Sequence, residues 1–449
     1  MSAGETAGAG TEDRAAGLGV GDVVVVDVGP VAHGGHCVAR HEGQVVFVRH
    51  TLPGERVRVR VTGLGPRGRF VHADVAEVLE ASPHRVVPPC PYSGPGRCGG
   101  CDLQHVDLAE QRRLKAAVVR EQLARLGGIE DVEVVCEALP GDEDGLRWRT
   151  RVEFAVGPDG VGLRRHRSHE VLPLDDCLIA HADVVGTGVL GRAAPAGVTA
   201  LDVVAPSLGD PVVVPLTGGT AGEDRSRGRG ADGRPGRSRG GRGRRAPHTP
   251  ARPEGPVPTV QEQVGVDRYS LSARGFWQVH PGAAAAFVEQ VLTWLDPHPG
   301  ESALDLYAGV GLFARPLADR VGPHGWVLAV EADRGAAESA TANLGDRPWA
   351  SVLASPTERA VGDLVAAEER ADLVVLDPPR SGAGAQVVRG IAALRPRAVV
   401  YVACDPAALA RDLRTAAEEG LDLVDLRVLD AFPMTHHVET LALLRPRSA

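Results

Sequence analysis

The strongest constraint on the fold is a regular alternation of apolar runs and helical patterns across residues 276–449. Six short apolar runs are separated by segments in which apolar residues recur at the spacing of a helix. Runs that are apolar throughout are typical of parallel strands covered on both faces. The six runs are SALDLYAG, GWVLAVEAD, ADLVVLDPP, AVVYVACDP, DLVDLRVLDAF and VETLALLRP. This region is therefore predicted to form an α/β domain with a doubly wound parallel sheet.

The stretch VVYVACDPAALARDL, residues 399–413, ends a predicted strand on a cysteine. The apolar run is too short for a helix, whereas Asp405 is a good helix N-cap and Pro406 suits the first helical position. Cys404 is therefore expected where the strand gives way to the helix, close to free amides and the positive end of the helix dipole. Such a position favours the thiolate, although a lone cysteine in this pattern also fits a buried small hydrophobe.

The segment ALDLYAGVGLFARPLA has the pattern of a strand, a glycine turn and a helix, as in Rossmann-like folds. Gly309 and Gly311 allow a tight turn and a close approach of a ligand to the backbone. Glu331 ends the following strand, where a carboxylate accepts hydrogen bonds from ribose hydroxyls. Ala314 replaces the third glycine of the dinucleotide fingerprint, and Asp377 of LVVLDPPR ends a later strand at the same edge. These two details favour S-adenosylmethionine over a dinucleotide such as NAD.

The formal net charge of −9 shows that the chain as a whole is not basic. A nucleic-acid site must therefore be a local patch rather than the whole surface. The sequence has no apolar stretch of membrane-spanning length, so we expect a soluble cytoplasmic protein without a membrane partner. In that reducing compartment the seven cysteines are expected to be metal ligands, catalytic or inert before they are disulfides.

The N-terminal part of the chain has short β-branched runs separated by glycine turns. Four or five such strands predict a small barrel of the oligonucleotide-binding kind, although a barrel without a ligand fits equally well. A helix is predicted for residues 108–126, stopped by Gly127 and Gly128. An Arg/Gly-rich tract cannot bury a core and predicts a disordered insertion. The expected divisions are a disordered N-terminus 1–17, a barrel 18–80, an α+β central region 81–275 with the insertion 217–256, and the α/β domain 276–449.

The order of these motifs resembles that of the 5-methyluridine RNA methyltransferases that carry an iron–sulfur cluster. The resemblance covers nearly the whole chain, from a barrel of the TRAM type through a cysteine-bearing central region to the last strand. The matching motifs are FWQVHP, LDLYAGVG, LDPPRSG, VYVACDPAALARDL and LDAFPMTHHVET, in the family order. The resemblance implies an enzyme that transfers a methyl group from S-adenosylmethionine to carbon 5 of a uridine in RNA. It favours 23S ribosomal RNA over transfer RNA as the partner, and a monomer is expected.

The resemblance assigns the family's nucleophile to Cys404 and its base to Glu439. Carbon 5 of uracil attacks a methyl sulfonium poorly, and a thiolate added at carbon 6 makes carbon 5 nucleophilic. A base must then remove the carbon 5 proton so that the thiolate can be expelled. One cysteine and one carboxylate are therefore the least that this chemistry requires.

The family's donor site also carries over to this sequence, residue by residue. The residues implied are Gln278, Tyr307, Glu331 and Asp377. Leu312 and Pro356 depart from the side chains common at their positions in the family, so they are left out of the set. Asp405 replaces an asparagine common in relatives, and its charge raises the pKa of the neighbouring thiol unless the carboxylate caps the helix.

A second group of cysteines lies in the central region, in CPYSGPGRCGGC and further along the chain. The resemblance implies that these are cluster ligands, namely Cys90, Cys98, Cys101 and Cys177. On spacing alone, four thiolates suit a [4Fe–4S] cluster and a structural zinc ion about equally, and the resemblance favours the cluster. Cys37 and Cys136 have no partner pattern and are expected to be structural.

Two other classes of function fit parts of the sequence. A nicotinamide-dependent oxidoreductase can use the same kind of sheet, but it leaves Cys404 and Glu439 without a role. A non-catalytic RNA-binding or folding factor can keep the fold, and it predicts that Cys404→Ala changes no RNA product.

Overall fold

The computed structural model describes residues 17–218 and 251–447. Contacts divide these residues into two compact units, one ending at Arg85 and the other beginning at Val86. The disorder predicted for residues 1–16 and for most of the Arg/Gly-rich tract, 219–250, falls outside the described residues. Within the two described ranges, no helix combines the length and the apolar character needed to cross a membrane.

The first unit contains a closed barrel of five strands, as the alternating pattern predicts. The strands are β1 (Val23–Ala32), β2 (His36–His41), β3 (Gln44–Arg49), β4 (Arg56–Leu64) and β5 (Phe70–Glu80). They close in the order β1-β2-β3-β5-β4, and β3 pairs with β5 in parallel. In β4, Val57, Val59 and Val61 fill the interior while the arginines between them face outward. This alternation of buried and exposed residues is what closes a small barrel around a packed core.

The second unit begins with a helix and a series of short strands. These elements are α1 (Leu108–Gln122), β6 (Cys136–Ala138), β7 (Arg151–Gly157), β8 (Gly160–Arg164), β9 (Val171–Pro173), α2 (Ala182–Gly186), β10 (Val198–Val204), β11 (Val212–Thr217), β12 (Arg252–Pro253), β13 (Thr259–Val264) and β14 (Asp267–Ser272). Asp107 caps α1 by accepting a hydrogen bond from the Glu110 amide at 2.8 Å. The helix continues through a π-helical turn, Leu123–Gly127, and ends at Gly128, whose φ of 70° is left-handed. The predicted helix and its glycine stop are therefore confirmed.

Most of these strands form an antiparallel sheet of six, in the order β12-β11-β10-β7-β8-β9. Its core contains Trp148, Phe154, Leu174 and Cys177. β13 and β14 form a separate two-stranded hairpin. The buried Cys177 places one of the predicted metal ligands against this core.

The C-terminal part alternates helices and strands, as the sequence predicts. Its elements are α3 (Ala283–Leu295), β15 (Ser302–Leu306), α4 (Ala314–Val321), β16 (Trp326–Glu331), α5 (Arg334–Leu344), β17 (Ala350–Ala354), α6 (Thr357–Ala366), β18 (Leu373–Leu376), α7 (Ala385–Ala393), β19 (Ala398–Ala403), α8 (Pro406–Glu418), β20 (Leu421–Asp430) and β21 (Glu439–Pro446). They build an eight-stranded sheet in the order β17-β16-β15-β18-β19-β21-β20-β6. The direction in which strands are added reverses between β15 and β18, and ligands bind outside the carboxyl ends of strands at such a point.

The sheet differs from the predicted one in three respects. β21 runs antiparallel to β19 and β20, because a hairpin loop rather than a crossover helix joins β20 to β21. The sequence does not predict β17, an edge strand with several exposed residues. β6 comes from the region before residue 276 and pairs in parallel with β20, which ties that region to the large sheet.

Candidate active site

Three acidic or nucleophilic side chains meet where neighbouring strands of the large sheet end. β18 and β19 are parallel neighbours, so Asp377 and Cys404, which follow them, leave the sheet at the same edge. β21 runs antiparallel to β19, and its Thr440 lies opposite Ala403. This pairing brings Glu439, the first residue of β21, beside Cys404.

The local structure around Cys404 agrees with the sequence prediction. β19 ends at Ala403 and α8 begins at Pro406. The Asp405 carboxylate accepts a hydrogen bond from the Ala408 amide at 2.8 Å, so it caps the helix as expected. Cys404 therefore lies at the junction of strand and helix, partly exposed to solvent.

The predicted preference of Cys404 for the thiolate is wrong for the protein without its ligands. Burial and the nearby carboxyl groups of Glu439 and Asp377 raise the pKa of Cys404 to about 12, and Arg380 opposes them. Burial also raises the pKa of Glu439 well above its usual value and the pKa of Asp377 to about 7. Cys404, Glu439 and Asp377 are three acidic groups close together, and repulsion between their ionised forms disfavours ionising all three at once. The helix dipole does not compensate, because Asp405 already bonds to an amide of the first turn.

Glu439 is the most deeply placed of the three acids, with 5% of its surface exposed. Its Oε2 atom has no hydrogen-bond partner among the described residues. A buried polar atom without a partner is costly, and such atoms call for an explanation such as a ligand that completes the bonding. Arg380 lowers the pKa of both Glu439 and Cys404, so it is the cation that favours their ionised forms.

The carboxylate of Glu331 holds the glycine turn after β15 in place. Its Oε2 accepts a hydrogen bond from the Gly309 amide at 2.8 Å, and its Oε1 accepts one from the Asp333 amide at 2.7 Å. Gly309 has a φ of 55° and Gly311 a φ of 87°, the left-handed backbone that this turn requires. Each carboxylate oxygen can accept a second hydrogen bond, as the binding of ribose hydroxyls requires.

Tyr307 follows β15 with a φ of 61°, a left-handed conformation that a tyrosine rarely adopts. Backbone strain of this kind is concentrated at functional sites. Burial and the charge of Glu358 raise the pKa of the Tyr307 hydroxyl to about 12, so this side chain is a neutral hydrogen-bonding group.

Gln278 lies between β14 and α3, apart from the strand ends that carry the other predicted residues. The side chain before it, Trp277, packs against Tyr269 with 5.3 Å between the ring centroids. The Tyr269 hydroxyl donates to the Leu312 carbonyl at 3.2 Å, so this segment is anchored to the glycine turn. Phe276 is 71% exposed, and the sequence analysis did not single out this aromatic side chain.

Asp305 is a further candidate that the sequence analysis missed. It is fully buried within β15, and its Oδ2 accepts a hydrogen bond from the Ala314 amide at 2.8 Å. Its Oδ1 has no hydrogen-bond partner in residues 17–218 and 251–447. Burial, followed by the charges of Asp377 and Glu331, raises its pKa to about 8. The signal in the sequence was an acidic residue inside an otherwise apolar strand.

The structure also brings the four predicted metal ligands together. One small cavity is lined by Cys90, Cys98, Cys101 and Cys177. Burial raises the pKa of Cys98 to about 11 and also raises the pKa values of Cys101 and Cys177. As free thiols, Cys98, Cys101 and Cys177 are therefore neutral. Cys37 and Cys136 are buried elsewhere, in β2 and β6, as expected for structural residues.

Two of the sulfurs in the cysteine cavity accept hydrogen bonds. Gln104, only 2% exposed, donates from Nε2 to the Cys101 sulfur at 3.4 Å and accepts from the Cys90 amide at 3.2 Å. The Gly100 amide donates to the Cys98 sulfur at 3.4 Å. Donors aimed at sulfur are typical of thiolate sites that hold metals or clusters. The sequence analysis missed Gln104, whose role depends on the fold rather than on a motif.

A larger cavity of about 360 Å³ shares part of its wall with the cysteine cavity. Four arginines line it, namely Arg149, Arg164, Arg165 and Arg167. In a chain with a net charge of −9, this is the kind of local basic patch that the sequence analysis requires for nucleic acid.

Two family matches coincide with the two ends of this architecture. A TRAM domain matches residues 18–76, which include β1 to β4 and most of β5. The tRNA (Uracil-5-)-methyltransferase family matches residues 359–447, which include Asp377, Cys404 and Glu439.

Proteins related in sequence match nearly the whole chain. An uncharacterized RNA methyltransferase of Streptomyces coelicolor is 45% identical over 446 residues, covering 95% of this chain and 93% of that protein. The 23S rRNA (uracil(1939)-C(5))-methyltransferase RlmD of Pseudomonas aeruginosa is 35% identical over 452 residues, with 96% of each chain covered.

The fold has a counterpart among solved structures. The crystal structure of Pyrococcus abyssi tRNA (uracil-54, C5)-methyltransferase in complex with S-adenosyl-L-homocysteine matches with a TM-score of 0.64, covering 93% of this chain and 99% of that one. At 20% identity this match shows a shared fold. The chain belongs to the family of S-adenosylmethionine-dependent RNA uracil-C5 methyltransferases that carry a TRAM domain.

Proposed function

We propose that this enzyme methylates carbon 5 of a uridine in 23S ribosomal RNA, with Cys404 as the nucleophile and Glu439 as the base. The observation that carries this proposal is the meeting of a partly exposed cysteine and a buried carboxyl group at neighbouring strand ends. Ribosomal RNA is supported by the relative from Pseudomonas aeruginosa, whose name specifies uracil 1939 of 23S rRNA.

Cys404 acts first, by losing its proton to solvent and adding to carbon 6 of the uracil. Its electron pair forms the sulfur–carbon bond, and the pair of the ring double bond moves toward the oxygen on carbon 4. Arg380 supports this step because it lowers the pKa of the thiol. Burial opposes it first, and the carboxyl groups of Glu439 and Asp377 add to this effect, so the free enzyme keeps the nucleophile neutral.

S-adenosylmethionine supplies an electrophilic methyl group on a positively charged sulfur, and carbon 5 displaces the neutral thioether. The positive charge of the donor favours the ionised forms of Asp305 and Asp377, whose pKa values burial raises, and this supports a donor site at the ends of β15 and β18. Glu331 has a second acceptor position on each oxygen for the ribose. Tyr307, at the start of the glycine turn, and Gln278, in the segment anchored to that turn through Tyr269, are proposed as further contacts of the donor.

Glu439 acts last, by accepting the proton from carbon 5. The electron pair of that bond restores the ring double bond, and Cys404 leaves carbon 6 as a thiolate. A carboxylate whose pKa is raised is a stronger proton acceptor than an ordinary one. Its Oε2 has no partner within the described parts of the chain, so no protein bond has to break before it accepts the proton.

The cysteine cavity is assigned a [4Fe–4S] cluster, held by Cys90, Cys98, Cys101 and Cys177. The four cysteines line one small cavity, and two of their sulfurs accept hydrogen bonds, one from Gln104 and one from the Gly100 amide. Hydrogen bonds to the sulfurs are typical of iron–sulfur clusters, and a structural zinc ion is the alternative.

The function is tested by incubating the full-length protein with S-adenosylmethionine and either 23S rRNA or tRNA, followed by mass spectrometry of the nucleosides. We expect 5-methyluridine in the ribosomal RNA, its loss in Cys404→Ala, and its retention in Cys37→Ala, a matched substitution of a cysteine buried in the barrel. Methylation of tRNA alone would reassign the substrate. Product formation by Cys404→Ala would refute the mechanism.

The cluster is tested separately, on protein purified without oxygen. We expect iron and acid-labile sulfide in equal amounts, and the loss of both in Cys98→Ser. One zinc ion per chain without sulfide would replace the cluster by a structural zinc site.

A further inference from the structure

The loop that leads to the proposed base is strained and is held by contacts from another part of the chain. Residues 431–438, here called the base loop, connect β20 to β21 and end at Glu439. Met434, in the middle of the loop, has a φ of 65°, a conformation that a non-glycine residue rarely adopts. A loop bent in this way needs contacts from outside to hold it.

Those contacts come from the cysteine segment, residues 90–104, and from the helix that follows it. The amides of Asp102 and Leu103 both donate to the Met434 carbonyl, each at 3.0 Å. The Met434 amide donates to Oε1 of Gln111 at 2.9 Å. The carbonyl and the amide of Met434 are therefore both bonded to residues 102–111. This stretch directly follows Cys90, Cys98 and Cys101, three of the four proposed cluster ligands.

A pair of side chains strengthens this junction. The Asp102 carboxylate lies 2.6 Å from Nδ1 of His436, and the same oxygen accepts from the His436 amide at 3.4 Å. The pair is largely shielded, with 13% of the Asp102 side chain and 29% of the His436 side chain exposed. Asp102 directly follows Cys101, so a ligand of the cluster and a contact to the base loop share one peptide unit.

The start of the base loop is anchored independently. Lys115, the only lysine in the chain, lies 2.5 Å from Oδ1 of Asp430 and donates to the Phe432 carbonyl at 3.0 Å. Both charged groups are buried. This second anchor lies in α1, away from the cysteines, so it holds one end of the loop whatever the state of the cluster.

We propose that Asp102 and His436 are positioning residues that hold Glu439 in place for proton removal, and that they do so only while the cysteine site is loaded. This inference rests on the proposed function. Without the cluster, the Cys101 sulfur keeps, within the described residues, only the hydrogen bond from Gln104, and the contacts of the neighbouring Asp102 with the base loop loosen. Cys404 is held at the junction of β19 and α8. Loss of the junction therefore spares formation of the covalent adduct and slows its release.

The test uses the full-length, cluster-loaded protein and the variants Asp102→Ala, His436→Ala and their combination. Release of methylated product from uridine RNA is expected to slow about tenfold in each single variant, because a base must lie within hydrogen-bond reach of its proton. Protein covalently bound to ordinary uridine RNA accumulates. The double variant is no slower than the single ones, because both act through one contact.

Asp175→Asn is the matched control. Asp175 lies two residues before Cys177 and accepts a hydrogen bond from the Tyr92 hydroxyl at 2.9 Å. Among the described residues, its carboxylate has no hydrogen bond to the base loop. It is expected to release product at the wild-type rate. Iron content is measured in every variant. If the Asp102→Ala variant fails to bind the cluster, the His436→Ala variant still tests the inference, because His436 lies outside the cysteine segment.

Hydrogen exchange provides a readout that does not depend on activity. Amides of residues 431–438 are expected to exchange faster in Asp102→Ala, in His436→Ala and in Cys101→Ser, and at the wild-type rate in Asp175→Asn. Wild-type exchange and wild-type release in Asp102→Ala and His436→Ala would overturn the inference while the proposed function stands. Failure of the wild-type enzyme to form any adduct with 5-fluorouridine RNA would instead refute the proposed function, and this inference with it.

Discussion

Alkylation of Cys404 in the free protein is expected to be slow, because its thiol is neutral at ordinary pH. With a pKa of about 12, about one molecule in 10,000 carries the thiolate at pH 8, against about one in ten for an ordinary pKa of 9.0. The thiolate of the weaker acid is more nucleophilic by about twentyfold, since nucleophilicity rises with pKa with a slope of about 0.4–0.5. The expected alkylation rate is therefore about fiftyfold below that of an unperturbed cysteine.

Two substitutions are expected to change this rate in opposite directions. Asp377→Asn removes a carboxylate that raises the pKa of Cys404, and Arg380→Gln removes the guanidinium that lowers it. A neighbouring charge shifts a pKa by about 1–3 units, and each unit changes the rate about threefold after the change in nucleophilicity is included. Alkylation should be at least about threefold faster in Asp377→Asn and at least about threefold slower in Arg380→Gln.

The assay is a time course with iodoacetamide at pH 8, without RNA or donor, in which mass spectrometry follows the peptide that contains Cys404. Asp363→Asn is the control, because this carboxylate lies on α6 with 74% of its side chain exposed. Thermal melts verify that each variant is folded. Equal rates in all variants, or changes of the same sign in Asp377→Asn and Arg380→Gln, would refute the claim that these charges set the acidity of the thiol.

Three further outcomes are expected. The Glu439→Gln variant should transfer the methyl group but remain covalently bound to the RNA. Denaturing gels should therefore show a covalent complex with ordinary uridine RNA. Release of free methylated product at the wild-type rate would contradict the role of Glu439 as the base. S-adenosylmethionine should accelerate alkylation of Cys404 more than S-adenosylhomocysteine does, because only the former places a positive charge near the thiol. Equal effects of the two compounds would count against a donor site beside Cys404. Burial raises the pKa of Asp305 from 3.8 to about 8, so the folded state disfavours the charged form. Its contribution to the free energy of unfolding should therefore fall as pH rises from about 4 to about 8, and urea denaturation of Asp305→Asn should show a weaker pH dependence.

The features that the sequence predicts well depend on residues close together in the chain. The run before Cys404, with Asp405 and Pro406 after it, is enough to predict a strand, a junction and a capped helix. The alternation of valine and arginine in β4 is enough to predict a barrel strand. In each case the residues that form the pattern lie within a few positions of one another, although the partner strands lie further along the chain.

The features that the sequence does not predict depend on residues far apart. The pKa of Cys404 is raised first by burial and then by Glu439 and Asp377, which reach it only through strand pairing. The contact between Asp102 and His436 joins residues that are 334 positions apart. The sequence pattern also does not predict that β21 pairs antiparallel to its neighbours, because a fully buried strand has the same apolar composition in either direction.

The most direct test of the mechanism is to trap the covalent intermediate with 5-fluorouridine RNA and S-adenosylmethionine. Fluorine replaces the proton that Glu439 removes, so the adduct should persist, and mass spectrometry should locate the crosslink at Cys404 within residues 399–413. A stable adduct at any other residue, or its formation by Cys404→Ala, would contradict the account.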